Sequence, residues 1–268
     1  GVGWTVRRLA RKMATTLTSL QLATKEWPAL DITNVSDWST ARDGFISLLG
    51  YIFVVGVVGY QTKGWCSPTT LKRLLFWHNV TMSVFPLALV VMTAWSIWND
   101  GDFGSFTAFA CNRPTGLTAD LILTFELSKF WEWVDTLFLV WQGKQLRGVH
   151  VAHHATTYWL FRAFRVCPVS CKSGLLINGF IHFIMYWHYA RPFPNFVRVF
   201  ITRGQIIQFL VGTVLGCYTL FMLPCGNTFW NASPWSLWTI ASLVPGLNLM
   251  LFMHFYYQQY IKSPAKRE

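Results

Sequence analysis

Seven long apolar runs constrain the fold of this chain more than any other feature. The runs are Phe45–Tyr60, Leu74–Trp98, Ala119–Trp141, Val151–Val166, Ser173–Ala190, Gln205–Leu223 and Leu237–Tyr260. A helix needs about 20 mostly apolar residues to cross a bilayer, and the first and fourth runs are short by that measure. Charged residues make up only 12% of the sequence, against about 25% in a typical soluble domain. We therefore predict an all-α integral membrane protein, a seven-transmembrane helix bundle.

The short connections between the runs indicate a single membrane domain over residues 45–260. Residues 1–44 precede it as a basic segment, and residues 261–268 follow it as a tail. The first 25 residues contain five basic residues and no acidic residue. We expect an amphipathic helix lying in the membrane interface there, with an organelle-targeting sequence as the alternative.

Basic residues in the short connections predict the orientation of the bundle, because cytoplasmic loops carry an excess of Lys and Arg. They follow the first, third, fifth and seventh runs: Lys63, Lys72, Arg73, Lys144, Arg147, Arg191, Arg198, Arg203, Lys262, Lys266 and Arg267. The N-terminus is thus predicted to be lumenal and the C-terminus cytoplasmic. Three basic residues do not fit this orientation, because they flank a connection on the predicted lumenal side: Arg162, Arg165 and Lys172. The net charge is +11, but the basic residues do not form the patch interleaved with aromatic residues that binding to nucleic acid needs.

The cysteines suggest a disulfide and no metal site. Cys111 and Cys225 both fall in predicted lumenal connections, where an oxidising compartment permits a bond between them. Cys167 and Cys171 form a competing pair. No cysteine lies in a metal-ligand array. Asn34 and Asn231 begin glycosylation sequons on the same side.

The fourth run carries an HxxHH motif, His150-Val151-Ala152-His153-His154. On a helix these three imidazoles fall within an arc of roughly 100°. Ionisable groups in a membrane segment are costly and point to function. Counting residues along each run places all seven histidines near the cytoplasmic side, which predicts a polar chamber open to the cytoplasm.

Other polar residues occupy the neighbouring runs at similar depth. Lys129 and Glu132 are three residues apart, and an internal ion pair explains them as well as function does. Asp135 has no comparable basic partner on its helix, so we expect it to orient the imidazoles. The remaining polar positions lie on the fifth and sixth runs: Asn178, His182, Thr202, Gln205 and Gln208.

In their order along the chain these motifs resemble the ELO family of very-long-chain fatty acid elongases. They are Lys129-x-x-Glu132-x-x-Asp135-Thr136, His150-x-x-His153-His154, Asn178-x-x-x-His182-x-x-Met185-Tyr186 and Thr202-x-x-Gln205-x-x-Gln208. The resemblance implies a 3-ketoacyl-CoA synthase of the endoplasmic reticulum membrane, which condenses acyl-CoA with malonyl-CoA and releases CO2 and CoA. It also implies that the bundle encloses an acyl tunnel closed toward the lumen. The other enzymes of an elongation cycle, reductases and a dehydratase, are implied partners; a homodimer is left open.

The resemblance assigns the chemistry to imidazole, which is a good nucleophile and leaving group near neutral pH. His153 matches the position thought to carry the acyl group, and we assign His182 to the malonyl step. We expect His150 and His154 to shape the site, and Lys144, Arg147, Arg198 and Arg203 to hold the CoA phosphates. No tightly bound cofactor or metal is expected. Two departures are Gln142-Gly143-Lys144, where the family has a basic run, and His188, where a tyrosine is common.

Two rival functions are weighed against this one. A di-iron desaturase or hydroxylase needs several His-rich boxes, and this chain has seven histidines and one box. A seven-helix transporter would carry polar residues through to the lumenal half, which we expect to be nearly uncharged.

Overall fold

The computed structural model describes residues 37–165, 168–223, 225 and 235–262. These ranges contain no strand and are built from helices, which confirms the all-α prediction. The α-helices are α1 (Asp37–Phe53), α2 (Pro68–Asn99), α3 (Phe106–Cys111), α4 (Gly116–Trp131), α5 (Trp133–Trp141), α6 (Gly148–Phe164), α7 (Pro168–Ala190), α8 (Asn195–Met222) and α9 (Trp235–Tyr256). Short π-helical turns, Val54–Gly59 and Tyr257–Ile261, extend α1 and α9.

Each predicted apolar run coincides with helix, and the third is formed by α4 and α5 together. Within the described ranges, three helical stretches are long and apolar enough to cross a membrane: Arg42–Gly59, Pro68–Asn99 and Phe196–Thr219. Large apolar side chains also face outward, among them Trp77 and Phe221, which are 64% and 72% exposed. Such exposure is unfavourable in water and neutral in lipid. α1 begins at Asp37, inside the segment that the sequence analysis assigned to the N-terminus.

The close approach of α2 and α7 positions the fifth-run motif. Gly179 makes it possible, because a Cβ atom there would lie 2.7 Å from Val90 and 3.5 Å from the Pro86 carbonyl. The Ser83 hydroxyl donates to the Phe183 carbonyl across the same interface at 2.9 Å. This packing fixes the face of α7 that carries His182 against the rest of the bundle.

A break at Glu132 separates α4 from α5 and divides the third-run motif. The Glu132 N–H still bonds to the Ser128 carbonyl, and the Asp135 N–H bonds to the Glu132 carbonyl. The chain therefore continues in the same direction through a single turn. Lys129 lies before this break and Asp135 after it.

A disulfide and an ion pair stabilise the end of the bundle that contains Cys111 and Cys225, opposite the HxxHH motif. The structure joins Cys111 to Cys225 in a disulfide. The fully buried Lys172 ammonium pairs with Asp102 and donates to the carbonyls of Phe109 and Asn112. This end of the bundle is thus a connected region rather than a set of loose loops.

The half of the bundle that was predicted to be lumenal contains several charges, so the expectation that it is nearly uncharged is wrong. Glu126 pairs with Arg165 at 2.5 Å, and Arg162 pairs with Asp43 at 2.8 Å, all inside the bundle. These arginines and Lys172 did not fit the predicted excess of basic residues in cytoplasmic loops, because they form ion pairs inside the protein and do not lie in loops. Several predictions lie outside the described residues: the N-terminal amphipathic helix, the sequons at Asn34 and Asn231, Cys167, and the tail beyond Lys262.

Candidate active site

The HxxHH motif of α6 forms a compact group of imidazoles. The ring centres of His150 and His154 are 4.2 Å apart, and those of His153 and His154 are 5.5 Å apart. His154 is buried, and the other two rings are partly buried. The structure thus brings the three predicted residues to one place.

Glu132 is the carboxylate that faces these imidazoles. Its Oε1 lies 3.2 Å from His182 Nδ1 on α7, and its Oε2 lies 3.9 Å from His154 Nδ1. Its Oε1 also accepts a hydrogen bond from Lys129 Nζ at 2.6 Å. The internal Lys129–Glu132 ion pair therefore exists, and it is built into the histidine cluster.

Asp135, which we expected to orient the imidazoles, has other direct partners. His78 Nε2 of α2 lies 2.7 Å from Asp135 Oδ1, and the Tyr186 hydroxyl donates to Oδ2. Thr136, the next residue, contacts His150 Nε2 at 2.9 Å. Asp135 therefore contacts the imidazole of His78 and not those of the HxxHH motif, because on α5 the carboxylate faces α2 and α7 while its neighbour faces α6.

Asn248 of α9 determines which nitrogen of His153 carries the proton. Its amide nitrogen donates to the Val244 carbonyl at 2.9 Å, so its oxygen faces His153 Nδ1 at 3.4 Å. Because that oxygen only accepts, Nδ1 must be the protonated nitrogen. The lone pair of neutral His153 then lies on Nε2.

A buried network of polar side chains lies next to the histidine cluster. Lys129 Nζ donates to Asn178 Oδ1 at 3.0 Å and lies 4.0 Å from the centre of the Phe125 ring. The Asn178 amide nitrogen donates to Gln208 Oε1 at 3.2 Å. Gln205 contacts the Met185 sulfur at 3.4 Å. Four of the sequence motifs therefore meet in one contact network.

An apolar cavity extends away from this cluster between α6, α7, α8 and α9. It begins at His153, Asn178 and Gln208 and is walled by aromatic and aliphatic side chains such as Phe209. Small residues line the rest of its length: Ser170, Ser173, Gly174, Gly212, Thr213, Gly216 and Cys217. Such a cavity suits an apolar chain attached to a polar head.

The predicted CoA-binding residues lie at the ends of the helices. Lys144, Arg147, Arg198 and Arg203 are exposed. Arg203 donates to the Tyr256 hydroxyl at 2.7 Å, and Arg147 lies 5.1 Å from the centre of the Phe255 ring.

Two further predicted residues of this region are held by local contacts. His188 is buried, accepts a hydrogen bond from the Phe193 N–H, and lies 3.2 Å from Arg198 Nε. The Thr202 hydroxyl donates to the Arg198 carbonyl. Both residues therefore hold the corner between α7 and α8, beside Arg198.

Sequence reasoning missed three contributors to this site. His78 was placed at the right depth but without a partner. Tyr186 was named only as the last residue of a motif, and Asn248 was not considered. A polar residue inside the apolar run of α9 was the available signal for Asn248.

Comparisons with known proteins give one consistent result. Residues 38–268 match the model of the ELO family, described as the GNS1/SUR4 family. The chain is 26% identical over 229 residues to fatty acid elongase sre1 of Dictyostelium discoideum, covering 81% of each chain. It is 26% identical to very long chain fatty acid elongase 2 of Rattus norvegicus, covering 74% of this chain and 73% of the relative. It is 25% identical to long chain fatty acid elongase 2 of Caenorhabditis elegans, covering 93% and 94%.

Proposed function

The chain belongs to the ELO family, and we propose that it elongates fatty acids through an acyl group carried on His153. It is a fatty acid elongase, a condensing enzyme of the 3-ketoacyl-CoA synthase class, like the relatives that it matches over most of their length. Its substrates are acyl-CoA and malonyl-CoA. One observation supports the histidine-linked route most: His153 lies both in the imidazole cluster and at the start of the apolar cavity.

The first half-reaction loads the acyl group. His153 Nε2 attacks the thioester carbonyl, the C–S bond breaks, and CoA leaves as thiolate. The acylated ring is cationic while Nδ1 keeps its proton, so that proton can pass to the thiolate to give CoA and a neutral acylimidazole. Asn248, which accepts from Nδ1–H, holds the ring in the reactive tautomer until that proton is transferred.

The second half-reaction forms the new carbon–carbon bond. Malonyl-CoA loses CO2, the resulting enolate carbon attacks the acyl carbonyl, and His153 leaves with one proton taken from its surroundings. The whole reaction consumes one proton and releases CO2 and CoA. We assign enolate stabilisation to His182; one of its ring nitrogens, one of His153 and a Glu132 oxygen all lie within 4.8 Å of one another, which supports this assignment.

The cavity is the proposed acyl tunnel, and the exposed basic residues are the proposed CoA contacts. Apolar walls exclude water from the acyl chain, and the small residues between Gly212 and Cys217 leave room for it. Arg147, Arg198 and Arg203 offer guanidinium groups to the CoA phosphates. No tightly bound cofactor takes part in this proposal.

The membrane arrangement is proposed from the helices and the charges together. All seven apolar runs are helical, and we propose that each crosses the membrane of the endoplasmic reticulum, with a lumenal N-terminus and a cytoplasmic C-terminus. The Cys111–Cys225 disulfide then lies on the lumenal side, in an oxidising compartment. Reductases and a dehydratase that complete the cycle are the proposed partners, and a homodimer is compatible with the exposed apolar faces.

Incorporation of labelled malonyl-CoA tests the proposed reaction. Protein purified in detergent is given a series of acyl-CoA primers, and labelled 3-ketoacyl product is measured. His153→Ala should abolish product, whereas His254→Ala, at an exposed histidine near the end of α9, should leave it unchanged. Absence of product from every primer, with folded protein, would overturn the proposed function.

A further inference from the structure

Three polar atoms of the histidine cluster make no well-aligned hydrogen bond within the described ranges, although His182 Nδ1 lies 3.2 Å from Glu132 Oε1. They are Glu132 Oε2, His154 Nδ1 and His182 Nδ1. The three residues are 1%, 7% and 3% exposed. A buried polar atom without a hydrogen bond costs about 1–3 kcal/mol. Glu132 Oε2 and His154 Nδ1, which have none among the described residues, and the poorly aligned His182 Nδ1 therefore indicate that a ligand can bind here.

The residues around these atoms match the donor set of a zinc site. Glu132, His153 and His182 each offer one ligand atom, and these atoms lie within 4.8 Å of one another. Two imidazoles and one carboxylate, with a fourth position open, is a common set for zinc. Ligands bound tetrahedrally to zinc lie about 3.4 Å apart, so the largest separation in the cluster needs to shorten by up to about 1.4 Å to enclose the ion.

We propose that this cluster binds one zinc ion reversibly and that the bound ion blocks acyl transfer. The inhibition rests on the proposed function, whereas the binding does not. Asn248 holds the proton of His153 on Nδ1 and thereby leaves Nε2 for the metal. The same lone pair attacks the thioester, so zinc and the acyl group exclude each other.

The charge of Lys129 makes the binding weaker than that of a resident cofactor. Its Nζ occupies Glu132 Oε1 at 2.6 Å, which leaves Oε2 to ligate the ion. A fixed positive charge so close to the site opposes a second cation. Removing that charge by Lys129→Met should therefore tighten zinc binding, an effect that misfolding cannot imitate.

Zinc and cobalt titrations of the full chain in detergent, without substrate, test the site directly. Bound zinc is counted after gel filtration, and bound cobalt is followed by its visible absorption. We expect one ion per chain and a loss of affinity of at least about tenfold in Glu132→Gln and His182→Asn. The matched control His254→Asn should bind as the native protein does, and Lys129→Met should bind more tightly.

The outcomes separate the site from the reaction. Absence of bound metal, or unchanged affinity in the ligand variants, overturns the site. Zinc that binds at the site but does not compete with acyl-CoA in the elongation assay overturns the inhibition. Ligand-dependent zinc binding in a protein that elongates no primer supports the metal site and overturns the proposed function.

Discussion

His78 Nε2 lies 2.7 Å from Asp135 Oδ1, across 57 residues of sequence. The second oxygen of the same carboxylate accepts from the Tyr186 hydroxyl. Asp135 on α5 therefore connects α2 and α7 next to the histidine cluster. Tyr186 and His182 are one turn apart on α7, with ring centres 5.7 Å apart, so this contact also positions His182.

Asp135→Asn should lower turnover by about tenfold to a hundredfold while changing the KM for acyl-CoA little. The amide keeps the shape but loses one acceptor, and small displacements of reacting groups are costly. Steady-state kinetics of Asp135→Asn and Tyr186→Phe measure the effect. A KM increase with unchanged kcat would instead assign Asp135 to substrate binding.

Lys129→Met should destabilise the fold by about 3–5 kcal/mol, because it leaves the buried Glu132 carboxylate without its partner. The double variant Lys129→Met/Glu132→Gln should recover most of this loss, since no unpaired charge remains. Thermal unfolding in detergent compares the two. Equal destabilisation of both variants would argue against a dominant ion pair.

Gly216→Leu should shift the primer preference toward shorter acyl chains. A Cβ at this position already lies 3.5 Å from the Ser170 hydroxyl, so a larger side chain fills the distal part of the cavity. Val214→Leu is the matched control, because Val214 lies on the same helix and is 57% exposed. Product distribution over a primer series gives the comparison, and an identical shift in both variants would contradict the tunnel assignment.

Asn248→Leu should reduce turnover by at least about tenfold, because His153 loses the acceptor that keeps its proton on Nδ1. The leucine is similar in volume, so the packing of α9 is largely kept. Single-turnover release of CoA from acyl-CoA, without malonyl-CoA, isolates this step. Unchanged release would show that another group controls the tautomer.

The helices and the position of the histidine cluster could be predicted from the sequence because both depend on local pattern. Runs of apolar residues locate the helices, although α8 begins at Asn195 and its run at Gln205, and counting along the runs gives relative depth. The direction in which a side chain points around a bundle depends on packing between distant helices. The pattern therefore could not show that Asp135 contacts His78 while Glu132 faces His154 and His182.

The charges at the end of the bundle opposite the HxxHH motif were mispredicted for the same reason. Arg162, Arg165 and Lys172 look like loop charges in the sequence, because their acidic partners lie 39 to 119 residues away. Ion pairs between distant residues leave no periodic signal. Asn248 was missed because a single amide within an apolar run has many structural explanations.

Mass spectrometry of the protein after incubation with acyl-CoA alone tests the central claim most directly. The acyl-histidine account predicts one acyl group per chain, located on His153, absent in His153→Ala, and discharged as 3-ketoacyl-CoA when malonyl-CoA is added. A native protein that forms the condensation product with the acyl group on another residue, or a His153→Ala variant that still condenses, would contradict it.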